Sequence, residues 1–132
     1  MAIKRYYASE DNTITNAFEE NLITRGTGSN MGAADILEAF VIHGQTSASI
    51  DADNAEQSRI IVRFPVDDII NDISAGIIPS SSVDYRLKLF NAPHGNSLPL
   101  SYSLDVHTIS ASWSEGTGLD MENYTDLGAS NW

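Results

Sequence analysis

The sequence predicts an all-β domain, an antiparallel β-sandwich of jelly-roll type with one short helix, and two observations carry that expectation. Apolar residues recur with a period of two in several stretches, and those stretches are separated by loops rich in Gly, Pro, Ser, Asn and Asp. Helices of the kind that build βαβ units are missing from the pattern, which favours a two-sheet sandwich.

The period is clearest in residues 58–64, 83–90 and 101–109. In the first, Ile60, Val62 and Phe64 are expected on the core face, with Arg59, Ile61 and Arg63 on the other. In the second, Val83, Tyr85, Leu87 and Leu89 alternate with Asp84, Arg86 and Lys88. In the third, Tyr102, Leu104 and Val106 alternate with Ser103, Asp105 and His107. Each reads as a half-buried strand. Residues 3–8, 12–17 and 36–42 are less regular strand candidates. The last is a nearly continuous apolar run whose Ile36, Phe40 and His43 also fit helical spacing.

One helix is expected where Val66, Ile69, Ile70 and Ile73 fall at i, i+3, i+4 and i+7. Asp67 and Asp68 favour its N-terminal end, and Gly76 lies past its C-terminal end. Loops are predicted at 25–32, 45–57, 79–82, 93–99 and 115–118.

At 132 residues and 42% hydrophobic content the chain is expected to form a single domain, residues 1–132, with an N-terminal arm at about 1–10. Trp132 follows a polar stretch and calls for a surface to cover it, which suggests the front portion of a longer polypeptide. Cysteine is absent, so no disulfide framework or thiolate site is available. Seven basic residues against 18 acidic ones give a net charge of −11, which opposes binding to nucleic acid or to an anionic membrane. No signal-peptide pattern follows Met1, and no apolar run approaches membrane-spanning length, so a soluble product made in a cytoplasm is expected.

Candidate chemistry is sparse. His43, His94 and His107 show no HxH or HExxH spacing, no serine stands in a GxSxG elbow, and the glycines of RGTGSNMG (residues 25–32) lack phosphate-loop spacing. Acidic pairs such as Glu19 and Glu20, or Asp67 and Asp68, read as solvated faces. Asp51, Asp53, Asn54 and Glu56 have the oxygen density of a calcium loop, but the turn glycine and the terminal bidentate Glu are missing. No cofactor and no enzymatic activity are expected.

Five segments in order, DNTITNAF (11–18), NMG (30–32), SRIIVRFPVDDI (58–69), VDYRLKLF (83–90) and SWSEGTGLDMENYTD (112–126), resemble a known domain. The pattern is similar to the DNRLRE-type β-sandwich domain, and the GLDMENYTD version resembles structural proteins of marine tailed bacteriophages. The resemblance marks Arg59, Arg63, Phe64, Trp113, Glu115 and Gly116 as motif residues, with Trp113 beneath a turn that Glu115 and Gly116 fix. It departs at Pro65, where the family carries Asp. Proline cannot donate to a ladder, so the strand is expected to end there or lie at an edge.

What the resemblance implies is a non-enzymatic virion component, assembled in the host cytoplasm. It would act as a head decoration or as the anchor of a tail appendage, bind capsid or tail proteins and form a homo-oligomer on the particle. Ile3, Lys4, Arg5, Tyr6 and Tyr7 of the arm, together with Trp132, are the expected protein-binding residues. The alternative is a carbohydrate-binding module or adhesin, for which Tyr102, Trp113 and Tyr124 are the aromatic candidates. Alternation turns Tyr102 inward, which makes core packing the expected role of Tyr102 and Trp113.

Overall fold

The computed structural model describes residues 3–43, 55–95, 97–119 and 130–132. Its regular structure is an antiparallel sheet of three strands, β1 (Glu10–Thr15), β2 (Val41–Ile42) and β3 (Glu56–Arg63), followed by one helix, α1 (Val66–Ser74). The class is all-β with one short helix. The strand order is β1-β3-β2, so the arginine-bearing strand is central.

The register places Glu10, Asn12 and Ile14 of β1 opposite Arg63, Ile61 and Arg59 of β3. Directly opposed residues share a face. The structure therefore corrects one expectation: the face bearing Arg59, Ile61 and Arg63 is covered in part as well, with Ile61 buried and Arg59 exposed, while Ile60, Val62 and Phe64 on the other face are half-buried. The physical reason is that a guanidinium is planar and weakly hydrated, and can lie against an indole instead of pointing into water. Arg59 and Arg63 stack on Trp132 and Trp113, with the guanidinium carbons 3.8 and 4.8 Å from the ring centroids.

On the opposite face Thr13 and Thr15 are buried and hydrogen-bonded. The Thr13 hydroxyl accepts from the Glu38 amide (3.0 Å), and the Thr15 hydroxyl donates to the Gln57 carbonyl (2.8 Å). Buried apolar residues are Ile14, Met31, Ala55, Ile61 and Ile78, while the largest fully buried side chains are polar: Asn12, Thr13, Thr15 and Ser29. Such an interior holds only if each polar group has a partner.

The 36–42 run pairs with β3 only at its end, as β2. Just before it, Phe40 donates its amide to the Ser58 hydroxyl (2.8 Å) and accepts from the Ser58 amide (3.1 Å), a side chain standing in for one rung of the ladder. Residues 3–8 form no strand, although the Ser9 amide donates to the Arg63 carbonyl and extends the β1 edge by one bond. β3 ends before Pro65, which becomes the residue preceding α1. The helix carries Asp67 and Asp68 in its first turn, and Gly76 beyond its end takes φ +71°, a conformation that glycine adopts without strain.

A second correction concerns residues 83–90 and 101–109. The described residues there form no ladder, and Tyr85, Leu87, Leu89, Tyr102, Leu104 and Val106 are exposed. Alternation fixes which side chains would share a face, but a strand also needs a partner for its amides and carbonyls. Among the described residues, no helix is long and apolar enough to cross a membrane.

Candidate functional site

The N-terminal arm is tethered to α1 through one carboxylate. Asp72 Oδ2 receives the Lys4 ammonium at 2.8 Å and the Tyr6 hydroxyl at 2.5 Å. Those two hydrogen bonds, Lys4 first, hold the Asp72 carboxyl below its ordinary range. Removal of the half-buried Tyr6 phenol from water, and then its hydrogen bond to Asp72, push its pKa up to about 12. Lys4 and Tyr6 are engaged, and Arg5, Ile3 and Tyr7 are exposed, the last two at 77% each. Asp72 had no distinguishing mark in the sequence, where it is one of three aspartates on a predicted helix.

A second constellation joins segments distant in sequence. Asn30 is buried at its centre: its amide nitrogen donates to the carbonyls of Glu115 (2.9 Å) and Ser130 (3.1 Å). Its amide oxygen accepts from the backbones of Gly32 and Gly118, both at 3.0 Å. Asn12, fully buried in β1, donates to the same Ser130 carbonyl (3.1 Å) and accepts from the Met31 amide (2.9 Å). Glu115 reaches β1 directly, its Oε1 accepting from the Asp11 amide at 2.9 Å. Burial, and next the negative charge of Glu115, raise the pKa of the Asp11 carboxyl.

The two glycines interlock. A Cβ on Gly32 would fall within the Glu115 carbonyl, and one on Gly118 within the Asn30 carbonyl. Gly116, two residues before Gly118, is in the left-handed region at φ +83°. Nearby, Arg63 donates to the Trp113 carbonyl and pairs with Glu10 at 2.7 Å. Trp132 donates its amide to the Thr27 carbonyl at 3.2 Å.

The structure therefore gathers Arg59, Arg63, Trp113, Glu115, Gly116 and Trp132 along one side of the sheet, while half-buried Phe64 follows β3 at its end. Asn12 and Asn30 were missed as organisers. Both stand in segments singled out in the sequence, DNTITNAF and NMG, but only the fold shows that their amides serve both sides of a closure.

Of the calcium candidates, Asp51 and Asp53 lie outside the described residues. Glu56 is buried, and its carboxylate accepts from the Phe18 amide at 2.7 Å. His43, His94 and His107 are exposed, and among the described residues no three His, Asp or Glu side chains gather to hold a metal. No family profile, curated protein or solved structure matches the chain.

Proposed function

We propose that the chain is a non-enzymatic structural component of a tailed-bacteriophage virion, binding neighbouring capsid or tail proteins through its N-terminal arm. The observation that carries this reading is the arm itself. Lys4 and Tyr6 tie it to Asp72, and Ile3, Arg5 and Tyr7 of the same segment are exposed, apolar and basic residues on a chain of net negative charge. A tethered segment loses less conformational freedom on docking than a free terminus would.

Further support comes from the motif residues of the sandwich-domain resemblance. NMG, Arg59 and Arg63, and the Trp113–Gly118 turn meet in one closure, as cooperating residues of a shared motif should. The virion reading also suits a cysteine-free protein that assembles in a cytoplasm.

Cryo-electron microscopy of purified particles, with the chain labelled, tests the proposal. Density repeated over the capsid lattice assigns a decoration role, and density confined to the tail or its vertex assigns an appendage anchor. Absence from particles overturns it. Replacing Lys4 and Arg5 by Glu is expected to reduce incorporation, and unchanged incorporation would remove the arm from the proposal.

Glycan binding is the second reading, favoured by one observation: Tyr102 is exposed rather than packed inward. Trp113 supports it less, since its ring is covered by Arg63. A glycan array without hits above background removes this reading.

A further inference from the structure

Residues 83–90 and 101–109 are complementary to each other as antiparallel strands. Set antiparallel so that Leu87 opposes Leu104, they place Tyr85 against Val106 and Leu89 against Tyr102 on one face. The same register sets Arg86 against Asp105, Asp84 against His107 and Lys88 against Ser103 on the other. A slip of two residues in one direction brings Asp84 against Asp105, and in the other sets Lys88 against Asp105 but leaves Tyr85 opposite Thr108 and only two apolar pairs. Like charges oppose the first slip, and the loss of an apolar pair disfavours the second, so the register with Arg86 opposite Asp105 and three apolar pairs is selected.

Within one chain the two segments share no ladder, their apolar rows are exposed, and Arg86 meets only its local neighbour Asp84 among the ion pairs described. From this we infer that the chain forms a homodimer by reciprocal strand exchange, residues 83–90 of one copy pairing antiparallel with residues 101–109 of the other. Arg86 and Lys88 are the last basic residues of a chain of net charge −11, and residues 101–109 supply the matching acid. A two-fold arrangement satisfies both segments of both copies and closes the assembly. Exposed apolar rows with unpaired backbone are otherwise a route to uncontrolled association. The inference does not depend on the virion reading, because the purified chain alone is sufficient to test it.

The absence of cysteine makes the test direct. Lys88→Cys and Ser103→Cys stand opposite each other on the solvent face, within the Cα separation a disulfide spans. Under mild oxidation at physiological salt, a mixture of the two single variants is expected to give a covalent dimer containing one chain of each, with the 88–103 bridge found by mass spectrometry. The doubly substituted chain is expected to run as a dimer on a non-reducing gel. An internally bridged monomer would overturn the inference in favour of a hairpin within one chain, and no 88–103 bridge at all would overturn it outright.

Sedimentation velocity provides the second arm. Arg86→Asp or Asp105→Arg alone is expected to shift the protein to monomer, and the two together to restore the dimer. A wild-type chain that sediments as a monomer at micromolar concentration would also sink it.

Discussion

The Arg59 guanidinium lies 3.8 Å from the centroid of the Trp132 ring, so a residue of the central strand holds the segment that ends at Trp132. The Trp132 amide adds a bond to the Thr27 carbonyl, which ties the 25–32 loop to the same point. A cation over an indole contributes about 0.5–1 kcal/mol when exposed and about 2 when desolvated. Arg59 is exposed and Trp132 half-buried. A double-mutant cycle of Arg59→Ala and Trp132→Ala in urea is therefore expected to give a coupling of about 1 kcal/mol. A coupling indistinguishable from zero would show the stacking to be incidental.

Gly32 and Gly118 are predicted to be intolerant of alanine for steric reasons alone. Each new methyl would overlap a backbone carbonyl, of Glu115 and Asn30 respectively, and backbone cannot rotate away as a side chain can. Forcing such overlap costs typically about 1–3 kcal/mol. Gly95 is the internal control, because a Cβ there meets nothing within 4 Å. Thermal melts should show Gly32→Ala and Gly118→Ala well below wild type and Gly95→Ala close to it.

Asn30→Ala would strand the amides of Gly32 and Gly118 and the carbonyl of Glu115 at a buried point, while the Ser130 carbonyl keeps its bond from Asn12. Unsatisfied buried groups cost about 1–3 kcal/mol each, and water entering the gap would recover part, so a loss of about 3 kcal/mol is expected from denaturant unfolding. Asn30→Asp keeps the acceptor but turns a second oxygen toward the carbonyls of Glu115 and Ser130. It should therefore be no better than alanine. An Asn30→Asp chain as stable as wild type would show that the amide hydrogens are not what closes this region.

What was legible in the sequence follows from what each pattern encodes. The helix from Val66 and its stop at Gly76 were readable because apolar spacing, acidic first turn and glycine all act locally. The ends of β1 and β3 were readable within two residues for the same reason. The covered face of β3 was not, since alternation cannot tell a solvated arginine from one stacked on tryptophan, and that choice belongs to Trp113 and Trp132, at least 50 residues away in sequence. Residues 83–90 and 101–109 show the converse: an equally clear alternation, with no ladder among the described residues of one chain. In the site, WSEGT and NMG were visible as motifs, but Asn30 and Asp72 gained their roles only through partners 85 and 66 residues distant.

Docking of the arm on Asp72 should be bounded by pH on both sides. Asp72 has a folded pKa below its ordinary value, so its contribution is fully present above the usual carboxylate range and is lost as pH falls through the depressed value. Tyr6 has its pKa raised to about 12, and it is the protonated phenol that donates. Its contribution is fully present below the ordinary tyrosine value of about 10 and is lost as pH rises through about 12. An ultraviolet titration should then contain one late-ionising tyrosine that disappears in Tyr6→Phe. Asp72→Asn should move that tyrosine back toward the ordinary value and raise hydrogen exchange in residues 3–8 at neutral pH. If Asp72→Asn leaves both the late tyrosine and the exchange of the arm unchanged, the tether is not what positions Ile3, Arg5 and Tyr7.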